Sequence, residues 1–130
     1  MLHDPIPDSL DQIAKIIVDA AFRVHTALGP GLLESVYEQC LCHELHQRNV
    51  DFQCQVNLPI AYDDIRIDSG LRLDLPVDDR VVVELKAVER LLPLFEAQLL
   101  TYLKLSGKRL GLLINFNVPL IRDGIRRIVL

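Results

Sequence analysis

Apolar and polar positions change their period several times along the chain, and each change marks an element. After Leu10, the residues Ile13, Ile16, Ile17, Ala20, Ala21, Val24 and Leu28 recur every three or four positions, the spacing of one helix face. Ser9 with Gln12 three positions on has the form of a capping box for its start. Gly29-Pro30-Gly31 ends it, with a glycine for the cap and a proline that cannot continue the turn. A second helix is predicted from about Leu32 to Arg48, with Leu33, Val36, Tyr37, Cys40, Leu41 and Leu45 on its apolar face.

The middle of the chain turns to strand spacing. Phe52, Cys54 and Val56 alternate with polar residues, while Asp63-Asp64 and Asp68-Ser69-Gly70 have the composition of turns. Leu71, Leu73, Leu75 and Val77 alternate again, Asp78-Asp79-Arg80 turns the chain, and Val81 to Ala87 is a β-branched run. Helical spacing returns after Pro93, from Leu94 to Leu105, and Gly107 closes it. Leu110 to Phe116 reads as a buried strand, and Ile125 to Val129 as a short last one. The predicted order is α-α-β-β-β-α-β, with that further strand optional. It describes an α/β domain with a mixed β-sheet flanked by helices. Residues 1–130 show no repeat, low-complexity tract or linker, so a single domain is expected.

Composition narrows the setting. Half of the residues are apolar and mean hydropathy is +0.24, but aromatics are only 5 % and Trp is absent, so the core must be largely aliphatic. No apolar run approaches the roughly 18 residues of a membrane span. The opening Met-Leu-His-Asp-Pro lacks the basic-then-apolar pattern of a secretory leader. A cytoplasmic protein with no membrane partner is the expectation. Cys40, Cys42 and Cys54 fit neither a disulfide framework nor a zinc knuckle, and are read as free buried thiols.

Net charge is −4, which weighs against a nucleic-acid partner, but it is unevenly spread. Residues 1–103 carry 8 Lys/Arg against 17 Asp/Glu, and residues 104–130 carry 6 against 1. Two readings stand: a basic lip beside an acidic pocket, or an ordinary charged surface.

The candidate chemistry is a set of polar residues inside apolar strands. Glu84 and Lys86 share one strand face, and Asp74 lies opposite Leu71, Leu73 and Leu75 on its own strand. If residues 78–80 form a three-residue loop, Val77 pairs with Val81 and Asp74 falls opposite Glu84. A two-residue loop puts the two acids on opposite faces. Opposed residues lie about 5 Å apart at Cβ, where two carboxylates repel by roughly 3 kcal/mol at an effective dielectric near 20. A divalent cation, a proton or Lys86 must offset that cost, and paired carboxylates with open positions suit Mg²⁺. The bland alternative is a set of solvated surface charges.

Asp74, then Glu84-Leu85-Lys86 ten residues on, with Glu34 on a preceding helix, resembles the signature of the PD-(D/E)XK nuclease superfamily. Gly31-Leu32-Leu33-Glu34-Ser35-Val36-Tyr37 matches the motif of its GxxExxY family, and His25 to Leu41 with Arg72 to Asn117 look like that family nearly end to end. The resemblance implies a restriction-endonuclease-like core and a metal-dependent nuclease acting on nucleic acid, DNA ahead of RNA. It implies Asp74 and Glu84 as ligands of Mg²⁺ or Mn²⁺, with the Leu85 carbonyl as a further ligand. Glu34 completes the acidic cluster directly or through water, and Lys86 supports the attacking water and the developing phosphate charge. Gln98 and Tyr102 resemble the Gln-x-x-x-Tyr element of RecB-type nucleases, and share a helix face from which to contact the phosphate backbone or buttress Lys86.

Each residue has a plainer rival. Glu34 suits the positive end of a helix, Tyr37 and Tyr102 suit the core with a bonded hydroxyl, and Gln98 suits helix packing. His25 is read as structural, and His43 with His46 lack a third metal ligand. Pro76, where relatives carry an ordinary apolar residue, requires an edge strand or a bulge. A catalytically inactive nuclease-fold binding module is the competing function. A homodimer, with an apolar helix face and the basic C-terminal lip forming one groove, is compatible with either.

Overall fold

The computed structural model describes residues 4–130; the first three residues of the Met1–Pro5 stretch considered above lie outside them. Helix α1 (Asp8–Leu28) and helix α2 (Glu34–Gln47) come first, then strands β1 (Val56–Tyr62), β2 (Ile65–Leu73), β3 (Leu75–Val77) and β4 (Val81–Lys86). Helix α3 (Pro93–Ser106), strand β5 (Leu110–Asn115), a 3₁₀ turn (Ile121–Gly124) and strand β6 (Ile125–Val129) complete the chain. The order α-α-β-β-β-β-α-β-β corrects the predicted one by a whole strand before α3, and the optional last strand is present.

Four strands form the central sheet in the order β3-β4-β5-β6. β4 and β5 run parallel across the α3 connection, and β3 and β6 flank them antiparallel. The mixed α/β architecture is that of a restriction-endonuclease-like core, as expected.

Period-two alternation in β4 divides the interior. Val81, Val83 and Leu85 join Leu110, Leu112 and Ile114 against α1 and α2. Val82 points the other way and joins Leu113 under Leu99 and Leu103 of α3. The helices therefore lie on both faces of the sheet, α1 and α2 on one and α3 on the other. Gly111 permits the close seat of α3: a Cβ there would meet the Leu99 side chain at 3.0 Å.

Other differences have local causes. α1 begins two residues early, at Asp8, with Pro7 at its cap, so Ser9 makes no capping bond and its Oγ instead accepts from Arg80. Leu33 is 74 % exposed rather than on the apolar face of α2. Phe52 forms only an isolated bridge with Val77, and Cys54 precedes the strand. Asp68-Ser69-Gly70 is no turn but lies within β2, which pairs with β1 in a separate two-stranded sheet. Gly70 is there for space: a Cβ would come within 2.4 Å of the Ile60 side chain. Asp63-Asp64 does turn the chain, and Gly29, with φ 72°, caps α1 as expected.

The long alternation Leu71 to Val77 is broken at Asp74. Leu73 packs with the α3 layer, whereas Leu75 and Val77 pack with the α1/α2 layer. Asp74 is thus opposite in face to Leu75 but not to Leu73, which corrects the single-strand reading. Pro76 sits on the edge strand. Its carbonyl accepts Gln53 N–H at 3.0 Å, away from β4. Because a strand residue's N and C=O point to the same side, no bond to β4 is lost at Pro76.

Candidate functional site

Residues 78–80 make the three-residue turn, and Val77 pairs with Val81 and Leu75 with Val83. That register carries Asp74 to a place beside Glu84, on the α3 side of the sheet. The two side chains interlock with each other's backbone. Glu84 Oε1 accepts Asp74 N–H at 3.2 Å, and Asp74 Oδ2 accepts Leu85 N–H at 3.1 Å. Each carboxylate is therefore fixed through one oxygen, which orients the pair without using up its acceptor capacity.

Glu84 is buried, at 7 % exposure. Burial first, and the Asp74 carboxylate second, push its carboxyl up to about 9, with Lys86 and the Asp74 N–H pulling down. This is the response of a buried acid beside a like charge. Such a site favours added positive charge, whether as a proton or as a cation.

Lys86 follows on the same face, at the end of β4, and its Nζ sits 4.4 Å from the centre of the Phe95 ring. A cation over an aromatic face is held in place by the ring quadrupole. Phe95 was passed over in the sequence, although its position three before Gln98 and seven before Tyr102 puts all three along one side of α3. The Tyr102 hydroxyl is shifted up by burial, then by Glu84 and by Asp74, and a hydrogen bond with Gln98 partly offsets them. Tyr102 is half-buried and Gln98 exposed at the rim.

Glu34 opens α2 as its first residue. Its carboxyl is shifted up by burial and by Asp74, while Lys86 lowers it. Asp74, at the β2–β3 bend, is therefore within electrostatic reach of Glu34 of α2, Glu84 of β4 and Tyr102 of α3, and Lys86 within reach of Glu34 and Glu84. Among the described residues, no group of three or more His, Cys, Asp or Glu side chains is arranged to hold a metal ion. The donors that could hold a hard divalent cation are the Asp74–Glu84 pair: oxygen only, and each with one oxygen that takes no backbone hydrogen bond.

The Gly29–Leu32 turn that leads into Glu34 is held by Tyr37. Its hydroxyl donates to Gly29 C=O at 2.7 Å and accepts Leu32 N–H at 3.1 Å, and its ring stacks on Phe116 at 4.6 Å. Asn117 Oδ1 accepts Gly31 N–H, and His25 Nε2 bonds to the Val118 carbonyl. Tyr37 and His25 are thus structural supports. Tyr37→Phe keeps the stack and strands Gly29 C=O and Leu32 N–H. We expect a loss of about 1–2 kcal/mol in a denaturant titration, with faster amide exchange at Leu32. Unchanged exchange there would contradict this role.

Two asparagines near the end of β5 were also missed. Asn115, 1 % exposed, accepts Val88 N–H and donates to Val88 C=O, and Asn117 donates to the same carbonyl. Together they fix the segment that follows Lys86. The only signal in the sequence was a polar residue at the end of an apolar run.

The basic C-terminal lip does not form beside the acids. β6 lies at the opposite sheet edge from β3. Arg127 pairs with Asp11, Lys108 with Asp79, and Arg109 binds the backbone of residues 4, 5 and 130. His43 lines a groove between α1 and α2, remote from the acids, with Phe22, Thr26 and Cys40.

Residues 11–128 match the family model described as the PD-(D/E)XK nuclease superfamily. No curated protein and no solved structure matches the chain.

Proposed function

Because the chain belongs to the PD-(D/E)XK nuclease superfamily, we propose that it is a metal-dependent nuclease of the GxxExxY type, hydrolysing phosphodiester bonds of nucleic acid, DNA ahead of RNA. One observation carries the reading: two carboxylates on one sheet face, with the buried one pushed up to about 9 and a lysine beside it. Nothing in packing requires that arrangement, since apolar residues in those positions would remove the repulsion.

A divalent cation such as Mg²⁺ or Mn²⁺, when bound, supplies Lewis acidity to a phosphate oxygen and acidifies a water. Asp74 and Glu84 would hold it, with Glu34 completing the acidic cluster directly or through water. Lys86, steadied over Phe95, is placed to orient the attacking water and stabilise charge developing on the phosphate. Tyr102 and Gln98 form the α3 wall of the site, from which they contact the phosphate backbone or buttress Lys86. Leu85 N–H keeps Asp74 aimed at the pair.

The test is cleavage of DNA and RNA by the purified chain with Mg²⁺ or Mn²⁺, with a chelator as control. Lys86→Met is expected to lower the rate by roughly 10²-fold while leaving cation binding intact. A wild-type chain that cleaves neither nucleic acid would overturn the reading.

The second reading, a nuclease-fold binding module without hydrolysis, is favoured by the net charge of −4 and by the pairing of Lys108 with Asp79 and Arg127 with Asp11 in the basic C-terminal stretch. Calorimetric titration separates the two. Mg²⁺ or Mn²⁺ binding that is lost with Asp74 supports the nuclease, and no binding supports the module.

A further inference from the structure

The cysteines are not the uniformly buried thiols their sequence suggested. Cys54 is exposed, Cys40 and Cys42 are half-buried, and all three are free. Cys42 Sγ and Cys54 Sγ lie 3.1 Å apart although twelve residues separate them in the chain. Cys42 belongs to α2 and Cys54 to the segment leading into β1.

That segment is already registered against both neighbours. Gln55 Nε2 donates to the Glu38 carboxylate of α2 at 3.1 Å, and Gln55 N–H donates to the Asp74 carbonyl at 2.8 Å. The sulfurs are therefore brought together by a folded connection that does not depend on them. Among the described residues no third side chain joins them to make a metal site, and two thiolates alone do not complete a tetrahedral centre.

We infer that Cys42 and Cys54 are a redox-modification site, closing to an intramolecular disulfide on reaction with a low-molecular-weight disulfide. The exposed Cys54 thiolate attacks one sulfur of the oxidant and releases one thiolate, leaving a mixed disulfide. Cys42 sulfur, as its proton leaves, then attacks Cys54 Sγ and displaces the second thiol. Two protein thiols are oxidised by two electrons, and one disulfide oxidant becomes two thiols. Burial first, then the Cys54 thiol, push Cys42 up to about 12. That assigns the attacking role to Cys54, and converting Cys54 to the mixed disulfide removes its share of the upward shift.

The product ties α2, which begins at Glu34, to the segment bonded to the Asp74 carbonyl. The crosslink joins one element of the acidic site, α2, to a segment hydrogen-bonded to the β2–β3 bend, and it is reversible by thiol reductants. Its formation does not depend on whether the chain is a nuclease.

The experiment is incubation of the full chain with oxidised glutathione, followed by thiol counting and peptide mass mapping under non-reducing conditions. The expected product is a chain lighter by two hydrogens, with one remaining thiol at Cys40 and a single peptide pair joining residues 42 and 54. Cys42→Ser should accumulate glutathione on Cys54, and Cys54→Ser should give no crosslink. The oxidised wild type should melt roughly 10 °C higher, as expected for closing a short loop. A wild type that stops at the glutathione adduct, or that pairs Cys40 or a second chain instead, overturns the inference.

Discussion

Asp74→Asn should abolish cleavage, lowering the rate by roughly 10³-fold at saturating Mg²⁺, while the folded chain survives intact. The estimate follows from removing one of two anionic donors, worth several kcal/mol of transition-state charge stabilisation. Asparagine is the informative replacement because its side-chain carbonyl can still accept Leu85 N–H, as Asp74 Oδ2 does at 3.1 Å. Its loss of charge also relieves the repulsion on Glu84. Melting temperature should therefore hold or rise as activity falls, a combination that misfolding cannot produce. Activity within a few-fold of wild type would show that the acidic pair is not the reacting centre.

The second large effect concerns pH. The Glu84 carboxyl is pushed from an ordinary 4.5 to about 9, first by burial and then by Asp74. The folded chain thus holds this proton more tightly than the unfolded chain does. The contribution is fully present below about 4.5 and is lost as pH rises toward 9. Without metal, wild type should lose stability steadily from pH 5 to 9 through this group, by on the order of a few kcal/mol. Glu84→Gln mimics the protonated acid and keeps an acceptor for Asp74 N–H, so its advantage over wild type should grow with pH across that window. Parallel melting profiles for the two proteins would refute the linkage. A divalent cation must displace the same proton, so its affinity for wild type should rise about tenfold per pH unit below pH 9.

Side-chain parity made the central pairing legible before the fold was known. The condition was a three-residue loop at 78–80: with Val77 then paired with Val81, as it is, a period of two puts Asp74 beside Glu84, whereas a two-residue loop would have separated them. The bend at Asp74 was not legible. Leu71, Leu73, Leu75 and Val77 alternate without interruption, and apolar layers on both faces accept a leucine equally. Alternation thus carries no sign of a chain that changes sides.

Local composition misled where partners at a distance decided. Asp68-Ser69-Gly70 has turn chemistry, yet it lies within β2 as an irregularity of the ladder, which pairs Leu58 with Leu71 on one side of it and Ile60 with Ile67 on the other. The Ser9–Gln12 box was overridden by a helix that starts at Asp8. Acidic residues were found because charge inside an apolar strand is conspicuous. Phe95 was missed because an aromatic on a helix usually means core, and only the place of Lys86 shows its other use. The approach of Cys42 to Cys54 is tertiary, and no period in the sequence encodes it.

The change of sides at Asp74 has a thermodynamic corollary. Leu73 anchors one hydrophobic layer and Leu75 the other, so the aspartate between them acquires its position only when both layers have closed. Whatever grips that carboxylate then acts as a fastener for the entire molecule, and its binding energy is felt by every element at once. A ligand at a hundred times its dissociation constant would hold the native state by about 2.7 kcal/mol more, a brace that depends on supply from solution.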